Sequence, residues 1–413
     1  MTRRFRTSAA LLAACLVAGC EAPRKLAPGE HASYPIKGKV IQTLNSFDNP
    51  EAVIFTLDGK SLFVSNTAEQ GMKDKGFGFT TGAGYMSRLA FQPDGTLKMV
   101  EPKLIEGLNG PLGMAVLPAK TGKFPKGTIF VCTGGGFMTD ASGNHVTDAS
   151  KHDPKLVGFN PDGEIIGQIK LGAGTPVAQV NGTPVLFPNA AGFDSDGNLY
   201  FSDSGNGGDR FQPNITAHPG VYMIPYSSLD ALAEGKEPPK PVRFIAIPDG
   251  PNGVEVGPGL LVYVCTLAKD PAVGGAMYAI ARENFETGEL PPPTHKGLDR
   301  LDGVAFVGRT RIDTTIGKRK EVLVTPPGGR PTVLQLEPMP GTVVSEFQEK
   351  DGKVTRAVHL DPPITFAGPA DHAIARADDG SYILVVPDPH WTSTPAGNDP
   401  VLVIRLPANF EGR

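Results

Sequence analysis

The feature that most constrains this chain is one sequence unit repeated six times. The repeats start at Asn49, Gly110, Phe187, Gly250, Leu301 and Gly368. Each joins a Pro- or Gly-bearing loop, a short apolar run, a turn that is usually Asp-Gly, and a second run of β-branched and aromatic residues. They read NPEAVIFTLDGKSLFVSN, GPLGMAVLPAKTGKFPKGTIFVCTG, FPNAAGFDSDGNLYFSDSGN, GPNGVEVGPGLLVYVCTL, LDGVAFVGRTRIDTTIGKRKEVLVTPP and GPADHAIARADDGSYILVVPD. Successive starts lie 51 to 77 residues apart, which suits four short strands and their loops. A hairpin cannot bury its apolar face alone, whereas four-stranded blades stacked around an axis bury one another. The pattern predicts an all-β fold: a six-bladed β-propeller with the six segments innermost and a central channel. MYAIAR (Met277–Arg282) and GVYMIP (Gly220–Pro225) fit outer strands, and SSLDALAEG (Ser227–Gly235) fits a helical turn or two in a loop. The 51 Gly, 40 Pro and 40% apolar residues agree with many turns around a real core.

Residues 1–20 stand outside this pattern. Arg3, Arg4 and Arg6 precede an apolar stretch from Ala9 to Gly19, too short to cross a bilayer. It ends in Val17-Ala18-Gly19-Cys20, which resembles the lipobox of bacterial lipoproteins. The expectation is a signal peptide over 1–20 with Cys20 lipidated, a flexible tether over 21–34 and one propeller domain over 35–413. Glu21 in place of Asp implies, by the sorting rule of such lipoproteins, a cell-envelope location at the outer membrane facing the periplasm. Membrane contact is expected only through the anchor. Loss of residues 1–19 removes three Arg and no acid, taking the net charge from −4 to −7. An acidic body without a Lys/Arg run argues against nucleic acid as a partner. Cys132 and Cys265 hold matching places in FVCTG and YVCTL, so they are expected in different blades as buried free thiols. Gly134-Gly135-Gly136 lacks the Lys-Ser/Thr of a phosphate loop. Asn214-Ile215-Thr216 is a sequon without evident meaning in a bacterial chain.

Alignment of the repeats brings out the chemistry. Glu51 lies eight residues before the turn glycine Gly59, Asn189 eight before Gly197, and His372 eight before Gly380. The looser repeats place Leu112, Asn252 and Asp302 at the same point. Equivalent positions of innermost strands form a ring at one mouth of the channel. Singly, each Asn or Asp here reads equally well as a turn residue satisfying its own backbone. Together, Glu51, Asn189, Asn252 and Asp302 make an oxygen-rich cage suited to one divalent metal ion, Ca²⁺ ahead of Zn²⁺ or Mn²⁺. The glycine-rich stretch GFGFTTGAGYMSR adds Phe77, Phe79, Tyr85 and Arg88 as candidate pocket residues, with core or surface packing the plainer reading.

The motifs FPNAAGFDSDGNLYFSD, GPNGVEV, LDGVAF and PEAVIFTLDGKSLFVSN resemble the senescence marker protein-30/gluconolactonase family. Paraoxonases and strictosidine-synthase-like proteins are more distant propellers of this type. The resemblance implies a six-bladed propeller with one axial metal and hydrolysis of lactones. By it, Glu51, Asn189, Asn252 and Asp302 match metal ligands, and Asp302 is also a candidate general base. Pro-Glu-Ala replaces the family's Glu-Gly-Pro, and Leu-Asp-Gly its Pro-Asp-Gly. Inserted loops are expected over Phe137–Lys155 and Arg309–Arg319, enlarging or covering the channel mouths.

The function expected is a metal-dependent hydrolase of lactones or related esters. The ion would polarise the carbonyl and bring a bound water toward neutral pKa. Asp302 or His372 would accept its proton, His372 having the better unperturbed pKa. The expected partner is a small lactone or ester, and the expected state a monomer. Two alternatives stay open: a non-catalytic, surface-anchored binding propeller, or a strictosidine-synthase-like propeller without hydrolase activity.

Overall fold

A computed structural model describes residues 36–408 except 69–78, 136–137, 140–151, 206–217, 249, 268–274, 299–300, 308–309, 316–331, 337–342, 347–355, 362–363, 365 and 390–398. Cys20, the 21–34 tether, Phe77 and the sequon lie outside the described residues. In chain order the strands are β1 (Ile36–Lys37), β2 (Lys39–Phe47), β3 (Pro50–Phe55), β4 (Ser61–Asn66), β5 (Phe79–Thr80), β6 (Gly84–Phe91) and β7 (Leu97–Leu108). Next come β8 (Met114–Val116), β9 (Ile129–Thr133), β10 (Met138–Thr139), β11 (Lys155–Phe159) and β12 (Ile165–Lys170). The third and fourth repeats give β13 (Pro188–Phe193), β14 (Leu199–Asp203), β15 (Gly220–Ile224), β16 (Arg243–Ala246), β17 (Pro251–Val256), β18 (Val262–Thr266), β19 (Gly275–Ile280) and β20 (His295–Leu298). The last two give β21 (Leu301–Val307), β22 (Thr310–Thr315), β23 (Thr332–Leu336), β24 (Val343–Glu346), β25 (Arg356–Asp361), β26 (Ala373–Arg376), β27 (Tyr382–Pro387) and β28 (Asp399–Leu406).

These strands form a β-propeller. Five repeats make four-stranded antiparallel blades: β3-β4-β6-β7, β8-β9-β11-β12, β13 to β16, β17 to β20, and β26-β27-β28-β2. The fifth repeat makes a six-stranded sheet from β21 to β25 plus β1, in which β22–β23 and β25–β1 run parallel. The innermost strands β3, β8, β13, β17, β21 and β26 each neighbour the next, and β26 returns to β3. No helix among the described residues is long and apolar enough to span a membrane. The Ser227–Gly235 segment holds a short helix, Leu229–Ala233.

The strands alternate because both faces of every blade are covered. In β4, Leu62 and Val64 join a core layer with Ile383 and Val385, whereas Phe63 packs with Met114, Ile129 and Val131 on the other side. In β14, Leu199 and Phe201 face the second blade and Tyr200 the fourth. Six such apolar layers appear among the described residues, one between each consecutive pair of blades. Large aromatics contribute to these layers: Phe201 and Tyr222, opposite each other on β14 and β15, stack 4.8 Å apart at 2°. Burial of each such side chain stabilises the fold by roughly 1.5–3 kcal/mol.

The Asp-Gly turns at 58–59, 94–95, 162–163, 196–197 and 379–380 close hairpins, their glycines having φ between +67° and +89°. The fifth repeat departs from expectation. Its second strand is β22, lying within the presumed insertion Arg309–Arg319, where TRIDTT alternates and puts Ile312 into the layer against the sixth blade.

Candidate functional site

Glu51, Asn189, Asn252 and Asp302 are each the second residue of an innermost strand. At each point the pairing with the second strand slips by one residue. Pro50 faces Asn66 but Ala52 faces Ser65; Pro188 faces Asp203 but Ala191 faces Phe201. Pro251 and Val254 face Thr266 and Val264, and Leu301 and Val304 face Thr315 and Asp313. Four bulges at one position re-aim four side chains.

A bulge frees backbone polar groups, and the second strands supply their partners. Ser65, Ser202 and Thr314 hydroxyls accept the N–H groups of Ala52, Ala190 and Gly303 at 3.0, 3.1 and 2.7 Å. Each ring residue's carbonyl is held by the preceding blade. The N–H groups of Asp371 and Gly113 donate to Glu51 and Asn189 at 2.9 and 2.7 Å. The Ser202 hydroxyl and Cys265 thiol donate to Asn252 and Asp302 at 2.6 and 3.2 Å. Cys132 and Cys265 are free, buried, and in different blades, as the repeats imply. Cys265 does the work of the serine at this repeat position.

The ring side chains are buried, Glu51 to 3% exposure and His372 to 4%. Asn252 Nδ2 donates to Asp302 Oδ1 at 2.6 Å. Leu112 fills the second blade's place with an apolar side chain, leaving a gap in the ring of oxygens. Burial raises the Glu51 carboxyl well above its usual range, and the carboxylates of Asp302 and Asp371 push it further. Asp371 is raised by burial, then by Asp302 and Glu255, against a lowering contact from the His372 N–H. Burial alone lifts Glu255 to about 7. Asp371 and Glu255 are half-buried and line the axial cavity. Burial lowers His372 to about 4, so its imidazole is neutral near pH 7. The Ile312 carbonyl opposes that shift without completing a hydrogen bond.

Behind the ring, along the innermost strands, lies an axial cavity of about 240 Å³. Asp371, His372 and Glu255 line it, and the four ring residues do not. His372 therefore faces the channel behind the ring. Asp371 and Glu255 were missed by the repeat alignment, which takes one residue per blade. Asp371 is the neighbour of the residue so taken, and Glu255 lies three positions past Asn252 in GPNGVEV.

Of the other candidates, Phe79 stacks on Phe187 at 6.1 Å. Lys103 lies over the Tyr85 ring at 5.0 Å, and burial followed by Asp48 pushes the Tyr85 hydroxyl up to about 12. Arg88 ties the first blade to the second, donating to the Pro161 carbonyl at 2.8 Å and pairing with Asp162 at 3.2 Å. These residues pack loops and blades together.

Whether a divalent metal fits is decided by the donors. Glu51 Oε2 is buried without a hydrogen-bond partner, beside two further carboxylates. Among the described residues no three His, Cys, Asp or Glu side chains converge to hold an ion. A cation at the ring therefore needs the Asn189 and Asn252 amide oxygens besides Glu51 and Asp302. That mixed oxygen set fits calcium chemistry.

No protein-family model and no curated protein matches this sequence. Among solved structures, a gluconolactonase from Xanthomonas campestris is similar at 14% identity, with 93% of this chain and 99% of that one covered and a TM-score of 0.46. The PQQ-bound aldose sugar dehydrogenase from Streptomyces coelicolor is similar at 13% identity, with 92% and 99% covered and a TM-score of 0.47. A glucose dehydrogenase shows 11% identity, 90% and 100% coverage and a TM-score of 0.44. Likeness at this level carries nothing about chemistry, and the propeller rests on the sheets themselves.

Proposed function

We propose that this protein is a divalent-cation-dependent hydrolase of lactones or related esters, acting at the ring face of the propeller. The observation that carries this reading is the buried, unpartnered Glu51 carboxylate oxygen, which sits beside two like charges and calls for a cation. The Asn189, Asn252-Gly253 and Asp302-Gly303 motifs, with their gluconolactonase resemblance, support a lactone as substrate. Glu51, Asp302 and the two amide oxygens would hold the ion, calcium suiting them best. A bound divalent cation supplies positive charge to polarise an ester carbonyl and acidify water. Asp302, fixed by the Asn252 amide, is the candidate to accept the water's proton. Direction supports the ring face: the innermost strands run away from it, so every connection leaving a second strand starts there. A Cys20 lipid anchor would hold the protein in the cell envelope.

Calorimetric titration of metal-free protein with Ca²⁺, Mn²⁺ and Zn²⁺, beside lactone and aryl-ester assays with and without chelator, tests this. Wild type should bind one ion and lose hydrolysis with chelator. Glu51→Gln and Asp302→Asn should each weaken the ion at least tenfold, about 1.4 kcal/mol. His372→Ala should keep the ion, because His372 lines the cavity behind the ring. No ion bound, or hydrolysis indifferent to chelator, would overturn the reading.

A further inference from the structure

The axial cavity has a composition that the hydrolase reading does not use. All six innermost strands line it, with Val53, Met114, Ala191, Val254, Val304 and Ile374 among its walls. Each of these strands is the end strand of its sheet, so the innermost edges turn to the axis. The charged lining is wholly acidic: Glu255 from the fourth blade and Asp371 from the sixth. Neither His372 ring nitrogen has a hydrogen-bond partner, and the imidazole, 4% exposed, lines the same space. Two carboxylates and a neutral imidazole form an acceptor-rich lining with apolar walls.

Such a lining rejects anions and suits a ligand that only donates. A bare metal ion is a poor occupant, since no three acidic, His or Cys side chains converge among the described residues. An ammonium on a compact apolar body satisfies both the walls and the acids. Size agrees, because an apolar cavity of about 150 Å³ holds benzene and this one is about 240 Å³. We propose that the axial cavity is a second binding site, taking a small organic ammonium ion of about benzylammonium size with Glu255 as its counter-charge. The site is distinct from the ring and does not depend on the ring holding a metal.

The test is calorimetric titration of the whole protein with benzylammonium, with benzyl alcohol as the uncharged control. Benzylammonium should bind saturably, one per chain, and more tightly than the alcohol by at least tenfold. Glu255→Gln should remove that difference, and Glu255→Asp should keep part of it. The groups facing Glu255 are Asp371 and His372, and the remaining lining side chains are apolar. Since Glu255 sits near 7 when the cavity is empty, affinity should rise from about pH 6 to about pH 8, where the amine stays protonated. Absence of saturable binding, or equal binding by a folded Glu255→Gln variant, would overturn the proposal.

Discussion

Gly303 lacks a side chain where Asp371 takes the space. A Cβ there would meet Asp371 Oδ1 at 2.6 Å, its Cα at 2.8 Å and Thr314 Oγ1 at 3.0 Å. Gly303→Ala should therefore displace the Asp371 carboxylate from the axis and destabilise the protein by about 1–3 kcal/mol, measured by urea unfolding. Gly59 is a different case: nothing lies within 4 Å, and only its φ of +67° resists a side chain. Gly59→Ala should cost about 1 kcal/mol and leave the site intact. Glu255 predicts a pH effect on stability. Its folded pKa of about 7 exceeds the ordinary value of 4.5, so the folded state keeps a proton that the unfolded chain loses between those values. Wild type thus loses stability as pH rises from about 4.5 to 7. Glu255→Gln should match wild type at pH 4 and exceed it at pH 8 by on the order of 2 kcal/mol in thermal unfolding. Equal stability at both pH values would show that Glu255 is solvated like a surface acid.

At the scale of elements, the four bulges turn a strand edge into a site, and the hydroxyl or thiol of each second strand holds that turn in place. Ser202 accepts from Ala190 N–H and donates to the Asn252 carbonyl, so it joins two ring positions. Ser202→Ala should leave two buried polar groups unpaired and lose about 2–4 kcal/mol in urea unfolding. Cys265→Ser should stay within about 1 kcal/mol of wild type, because serine already fills this repeat position in the first and third blades. This level was partly legible in the sequence. Asn252-Gly253 and Asp302-Gly303 could be aligned because polar side chains recur at one offset from a turn. The bulges themselves left no periodic trace, since one extra residue per strand hides within the variation of loop length. Asp371 was hidden by its neighbour His372. In the fifth repeat, the apolar run VLVT outweighed TRIDTT, a polar-looking strand whose Arg311 and Asp313 are buried as a 2.8 Å ion pair.

For the whole molecule, β2 supplies the outermost strand of the last blade, and its Phe47 joins the layer between the sixth and first blades. The seam is locked by the Asn49 N–H, which donates to Asp399 Oδ2 at 2.9 Å across 350 residues of sequence. A variant beginning at Asp48 would leave the long edge of β28 unpaired, and it should aggregate or unfold well below the wild-type temperature. Light scattering during a thermal ramp would show this. Sequence repeats revealed the number of blades because each layer needs the same alternation. They could not reveal the seam, since β2 resembles no repeat and owes its place to the strand it completes.

That seam bears on how the protein is made. A ribosome delivers β2 long before its partner β28, so β2 must stay unpaired until the rest of the propeller has emerged. Five sheets can form in order as they are synthesised, but the circle cannot shut before the final residues arrive. The native state should therefore appear late and in one step, and a chain stalled before β28 would leave both β2 and the edge of β27 without the strand that pairs with them.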